Sequence, residues 1–270
     1  MEKEIISPKI YVVFKQLMKN DLVRKGFLSA VLNIKDTDIK STQIVDIKPE
    51  VFYKEEEQEL MDITLTMYDE LTLSDKKVNI EIQIATLDTW QDRSTFYVMS
   101  KFSEPERFIL SKLRKCISIN ILDFKLSEEY DKYHLSYHFA EDNHNIVFKD
   151  AVEIHHIELP KLPADSDGSP LYDWVKFLVT DNREDFEKLA EKNIYLREAY
   201  KELDKISQDE QEQLEYDERK RSIYYYNETK QKNYEKGFAE GKAQERKHLE
   251  EILKSLGKTD EQIKDLIENQ

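Results

Sequence analysis

Apolar side chains recur at helical spacing near the start of the chain. Ile10, Val13, Phe14, Leu17 and Met18 fall on one face and predict a helix over residues 9–20. Ser7-Pro8 supplies the expected N-cap and first-turn proline, and a second short helix is expected over 22–32. The period then changes to two. Met61, Ile63, Leu65 and Met67 alternate with Asp62, Thr64 and Thr66, and Val78, Ile80, Ile82 and Ile84 alternate with Asn79, Glu81 and Gln83. Residues 68–77 between them read as a polar turn, so the two strands form a predicted hairpin.

Residues 88–102 return to helical spacing. The run Cys-Ile-Ser-Ile-Asn-Ile-Leu within 115–124 predicts a strand rich in β-branched residues, and further strands are expected over 133–139 and 152–159. Residues 161–170, rich in Pro, Ser and Gly, read as a linker between a core over 1–160 and a helical region over 171–270. That region has Ser207-x-x-Glu210 and Thr259-x-x-Gln262 as capping boxes and Gly257 as a helix stop. Leu249, Ile252, Leu253 and Leu256, continued by Ile263, Leu266 and Ile267, form an apolar stripe suited to a helical hairpin, a partner protein or a second copy of the chain.

Charge changes the picture in one respect. A net charge of −15 over 270 residues disfavours general attraction to a polyanion, so nucleic-acid binding would need local basic patches. Lys9, Lys15, Lys19, Arg24 and Lys25 make one, and residues 101–125 another. The single cysteine, Cys116, rules out an intramolecular disulfide and reads as a buried small residue in a reducing compartment. No apolar leader and no run of about 18 apolar residues is present, so a soluble, cytoplasmic protein without a membrane role is expected.

The candidate chemistry lies on the hairpin. If its strands pair, Asp62, Glu81 and Gln83 share one face. Adjacent carboxylates repel as ions, and a hard divalent cation relieves that repulsion while taking oxygen ligands, which makes Mg²⁺ the expected occupant. Gln83 could orient a water or a phosphate oxygen. On the following helix Arg93, Tyr97 and Lys101 recur every four residues as candidates for phosphate contact. Spacing by itself favours a blander account, in which these are ordinary residues on solvated faces.

The order of motifs along the chain tips the balance. Ser7-Pro-Lys-Ile-Tyr-Val-Val-Phe-Lys, Leu60-Met-Asp-Ile, Val78-Asn-Ile-Glu-Ile-Gln, Ile117-Ser-Ile-Asn-Ile-Leu-Asp-Phe, Glu153-Ile-His-His-Ile-Glu-Leu-Pro and Asp173-Trp-Val-Lys-Phe-Leu occur in sequence, followed by Glu240-Gly-Lys. Together they resemble the Rpn family of recombination-promoting nucleases and putative transposases, within the PD-(D/E)XK superfamily. The resemblance implies an α/β, restriction-endonuclease-like core, a mixed central sheet flanked by helices, plus the helical C-terminal region. It also implies Mg²⁺-dependent hydrolysis of DNA, with Mn²⁺ as a substitute. By resemblance Asp62 and Glu81 are the metal ligands, Gln83 completes a Glu-x-Gln variant of the catalytic motif and Arg93 is the helix arginine. One departure motivates a second reading, because the family usually carries an aspartate in the first helix where this chain has Tyr11. That alternative is a catalytically degenerate DNA-binding or protein-interaction module of the same fold.

Other features carry less. His134, His138, His155 and His156 match no zinc spacing and sit on alternating strands. Tyr224, Tyr225 and Tyr226 point about 100° apart on a helix, so at least one is expected to pack inward. No phosphate loop, nucleophile elbow or dinucleotide fingerprint is present.

Overall fold

The computed structural model describes residues 4–45, 62–69, 74–84, 115–144, 151–260 and 262–263, with single residues 95, 98, 99, 146 and 266. Helix α1 spans Tyr11–Lys19 and α2 Asp21–Leu32. Strands follow as β1 Ile39–Ile44, β2 Asp62–Asp69, β3 Ser74–Gln83, β4 Cys116–Leu122, β5 His134–His138 and β6 Val152–Glu158. Helices α3 Pro170–Val179, α4 Arg183–Lys192, α5 Ile194–Gln208 and α6 Glu210–Ser255 complete the chain.

The six strands form one mixed sheet in the order β1-β2-β3-β4-β6-β5. β3, β4 and β6 run parallel, and the remaining pairs are antiparallel. β4 is buried at every position, as a central parallel strand should be when both faces are covered. The alternating residues Ile63, Leu65 and Met67 of β2 and Val78, Ile80 and Ile82 of β3 are all buried, so one face of the hairpin joins the core. Both strands reach further toward the turn than expected. Tyr68 pairs with Asp75 and Met67 with Lys76, so most of the polar stretch from 68 to 77 is ladder, because backbone pairing does not require apolar side chains.

An edge-to-face relay of rings binds the helices to each other. Phe14 of α1 meets Phe27 of α2 at 5.7 Å, and Phe27 meets Trp174 of α3 at 5.7 Å. Trp174 meets Phe177 at 6.0 Å, and Phe177 meets Phe186 of α4 at 5.0 Å. α5 packs so closely on α2 that a Cβ added at Gly26 would overlap the Tyr195 side chain. Residues 1–220 therefore form one compact unit, and residues 221–270 a second.

Several helix ends differ from expectation. Ser7 to Ile10 is a turn, α1 starts at Tyr11, and its N-cap Ile10 has no side chain able to cap. Asn20 caps α2, its side chain accepting from Leu22 N–H and Val23 N–H. Ser207 lies inside α5, where its hydroxyl donates to the Leu203 carbonyl and accepts from Ile6 N–H. Asp209 takes over the capping of α6, accepting from Gln211 N–H and Glu212 N–H. The box at Thr259 forms reciprocally with Gln262. Gly257 ends α6 at φ 77°, the left-handed conformation that favours glycine.

Candidate active site

Strand register brings the two acidic residues together. Asp62, at the start of β2, is the direct partner of Glu81 on β3, and positions directly opposite in an antiparallel ladder share a face. Glu81 is 7% exposed. Gln83 closes β3 half-buried, its carbonyl accepting from Asp123 N–H at 2.9 Å at the end of β4. Lys9, just before α1, reaches the same place, with Nζ 2.7 Å from Asp123 Oδ2. The N-terminal segment thus lies at the carboxyl ends of β3 and β4, where parallel sheets characteristically offer a ligand site.

Arg93, Tyr97 and Lys101 lie outside the described residues. Their neighbours Thr95, Val98 and Met99 are helical, and Val98 is buried. Val98 lines a cavity of about 10 Å³ together with Thr64, Lys77, Asn79, Cys116 and Ser118, which sets it over the polar face of the hairpin. The first of the expected basic patches loses a member. Arg24 is 4% exposed and donates to the carbonyls of Met18, Lys19 and Thr42, so it finishes α1 and ties β1 to α2.

The polar face holds more than the carboxylates. Asn79 pairs in register with Ser118, and Glu81 with Asn120, so the four make a two-by-two block on β3 and β4. All four are buried, at 4%, 2%, 7% and 1% exposure for Asn79, Ser118, Glu81 and Asn120. Thr64 donates its hydroxyl to Asn79 Oδ1 at 3.2 Å, Asn79 Nδ2 has no hydrogen-bond partner among the described residues, and Asn79 lines the small cavity. Asn120 Nδ2 donates to the His155 carbonyl at 3.2 Å and to Ser118 Oγ at 3.3 Å. Ser118 and Asn120 were legible as polar positions alternating with Ile117, Ile119 and Ile121, but not as neighbours of Glu81, because that pairing spans some forty residues of chain.

At the far side of the sheet the histidines form a hydrogen-bonded chain. His134 Nε2 is 2.9 Å from His155 Nδ1, and His155 Nε2 is 2.9 Å from Glu153 Oε1. Lys115 Nζ is 2.5 Å from Glu153 Oε2. Burial alone would raise the Glu153 pKa, but the hydrogen bonds from His155 and Lys115 outweigh it and hold the carboxyl at about 2. At the end of β6, Glu158 Oε2 accepts from Leu126 N–H at 2.8 Å and pairs with Lys161 at 2.9 Å. Lys161 Nζ also stands 3.9 Å over the Tyr130 ring, which anchors the loop after β4.

Asp62 and Glu81 are register partners of carboxylate type, the hard oxygen donors that a divalent cation such as Mg²⁺ takes one or two of, completing its shell with water and phosphate oxygens. Among the described residues no three His, Cys, Asp or Glu side chains are grouped to hold a metal, and no helix is long and apolar enough to cross a membrane.

A mixed α/β sheet with an acidic pair on neighbouring antiparallel strands and a parallel strand beside them defines the restriction-endonuclease-like class. The chain belongs to the PD-(D/E)XK nuclease family transposases, whose family model matches residues 8–233. No curated protein and no solved structure matches the chain.

Proposed function

We propose that the protein is a metal-dependent DNA endonuclease that hydrolyses phosphodiester bonds in recombination or on mobile elements. The observation that carries this reading is the direct pairing of Asp62 with Glu81 in a chain of this family. Asp62 and Glu81 hold the cation. Bound Mg²⁺, or Mn²⁺ in its place, polarises the scissile phosphate and lowers the pKa of its water. Glu81 is set by its place on a rigid central strand, which favours one geometry over a loop's many. Gln83 orients the attacking water or a phosphate oxygen through its amide, since it has no proton to exchange. Arg93, Tyr97 and Lys101 contact the substrate phosphates.

The test is cleavage of DNA by purified protein with Mg²⁺ or Mn²⁺. Asp62→Ala and Glu81→Ala are each expected to lower the rate by at least about 100-fold, the loss that even supporting residues of metal sites can produce. Gln83→Ala should be milder, and Gln83→Lys should keep activity. Undiminished cleavage by both carboxylate variants defeats the assignment. A wild-type protein inert with either metal favours the degenerate DNA-binding or protein-interaction module, which the half-buried Tyr11 in place of an acidic side chain on α1 motivates.

A further inference from the structure

We infer that Lys9 is a catalytic residue of the proposed reaction, its ammonium donating to a non-bridging oxygen of the scissile phosphate. The inference rests on the nuclease reading above. Charge supplies the need for such a group. The carboxylates of Asp62 and Glu81 are no more than balanced by one divalent cation, while a phosphodiester brings a further negative charge and in-line attack adds to it. The chain as a whole offers no relief, since it carries −15. A positive group in contact with the phosphate meets the requirement, because it stabilises charge where the charge develops.

Lys9 is held where that contact can form. Ile6, Pro8 and Ile10 are buried, and the Ser7 carbonyl accepts from Ile10 N–H at 3.3 Å, so the backbone on both sides of Lys9 is fixed while its side chain stays 32% exposed. Its Nζ donates to Asp123 Oδ2 at 2.7 Å, and Asp123 N–H donates to the Gln83 carbonyl at 2.9 Å, which ties the ammonium to the carboxyl end of β3. Gln83 lies two residues beyond Glu81, about 7 Å along the strand. A phosphate beside Glu81 is within reach of an ammonium there, because the group and one charge-assisted bond of about 2.8 Å cover most of that distance. An ammonium carries three hydrogens, so Lys9 keeps its bond to Asp123 while donating to the phosphate, and it transfers no proton. The direct contact outweighs the more distant Asp123 carboxylate. Two other lysines near these strand ends are committed elsewhere. Lys161, with 4% of its side chain exposed, is sealed between Glu158 and Tyr130, and Lys125 is taken by both oxygens of Glu128 within its own loop.

The experiment measures binding of a labelled DNA duplex to the full-length protein by fluorescence anisotropy in Ca²⁺ over a range of salt, beside cleavage in Mg²⁺ and a melting curve for each variant. Loss of one phosphate contact lowers the steepness of log affinity against log salt by about 0.9. Lys9→Met is expected to show that change and a fall in kcat of about 100-fold. Lys9→Gln keeps a donor for Asp123 and loses the charge, so it should behave alike and keeps the test decisive if Lys9→Met fails to fold. Lys9→Arg should retain the wild-type slope and most of the rate. Adding Gln83→Lys to Lys9→Met returns an ammonium to the same strand end and should restore the slope and part of the rate. A Lys9 that only tethers the N-terminal segment predicts a lower melting temperature with slope and kcat unchanged, and that result overturns the inference. A loss of rate that neither Lys9→Arg nor the added Gln83→Lys restores overturns it too. Wild-type protein that neither binds the duplex in Ca²⁺ nor cleaves it in Mg²⁺ or Mn²⁺ overturns the nuclease reading itself. Cleavage that requires Glu81 but not Lys9 overturns the inference alone.

Discussion

At His134 burial is the largest influence on the imidazole, followed by the neighbouring His155, with Glu153 pulling the other way, and the net effect lowers its pKa to about 4. His156 is likewise brought to about 4 by burial first and then by His155 and His134. The unfolded chain takes up these protons near the ordinary value of 6.5, so between pH 6.5 and 4 it binds protons that the folded chain refuses. Their contribution to stability is therefore complete above pH 6.5 and is lost as pH falls toward 4. Glu153, lowered from 4.5 to about 2, adds a further loss below pH 4.5. The melting temperature should decline on acidification from pH 6.5, and His134→Gln should make that decline shallower between pH 6.5 and 4. Equal slopes for wild type and variant would show that the His134 pKa does not govern the transition. None of this was visible in the sequence, where four histidines on alternating strands gave no hint of which ones touch. The carboxylates were different, because alternation alone assigned Asp62, Glu81 and Gln83 to the non-core side of their strands, and the Asp62–Glu81 register agrees. Alternation cannot say which residues of a third strand stand beside them, so Asn120 emerges only from the pairing of β3 with β4.

Among the described residues, elements announced by a strong apolar period were found where expected, and β5 was found as well although no residue of it is buried. α1, α2, β2, β3, β4 and β6 each carry at least one apolar face that the period reveals. β1 passed unnoticed because Ile-Lys-Ser-Thr-Gln-Ile has apolar residues only at its ends, and its ladder with β2 supplies the order that its side chains do not. Ser207 resembled a cap because Glu210 follows three residues later, yet the capping role went to Asp209, whose carboxylate reaches two backbone N–H groups while Ser207 is held inside α5. The three tyrosines of α6 also depart from expectation, since Tyr224 and Tyr225 are 65% and 62% exposed and no residue of that helix is buried. Close contact between elements makes the sharpest prediction at this scale. Gly26 lets α2 approach α5 until the backbone meets the Tyr195 side chain, and Tyr195 is itself held by a hydrogen bond from its hydroxyl to Asp36. Gly26→Ala gains helix propensity but must push α5 away, and overpacking of this kind costs about 1–3 kcal/mol. Urea unfolding should show a lower midpoint at an unchanged slope. A variant as stable as wild type would mean that α5 relaxes freely.

For the whole molecule, charge and packing divide the chain at the same place. Residues 221–270 carry ten basic and ten acidic side chains, so the entire net charge of −15 falls on residues 1–220. The packing of those first 220 residues does not stop at the linker over 161–170. Trp174 and Phe177 of α3 and Phe186 of α4 continue the ring contacts begun by Phe14 and Phe27, and Ser207 of α5 receives the Ile6 N–H. Gln16 of α1 donates to Glu212, so even the first turn of α6 has a partner in the unit. A chain ending at Pro160 keeps every strand among the described residues but exposes the Phe27 ring that meets Trp174 and the face of α2 at Gly26 that packs on Tyr195 of α5. Losing a contact surface of that size costs several kcal/mol, on the scale of the whole stability of a domain. The chain ending at Lys220 should therefore melt cooperatively near the full-length temperature, whereas the chain ending at Pro160 should show no cooperative transition by calorimetry or circular dichroism. A cooperative melt from the shorter chain would show that the strands and first two helices suffice, and that the C-terminal helices are an appendage. The same pair of truncations separates DNA engagement from chemistry. Ending at Lys220 leaves net charge unchanged, so any fall in DNA affinity must come from the local basic residues of 221–270 rather than from a change in overall repulsion.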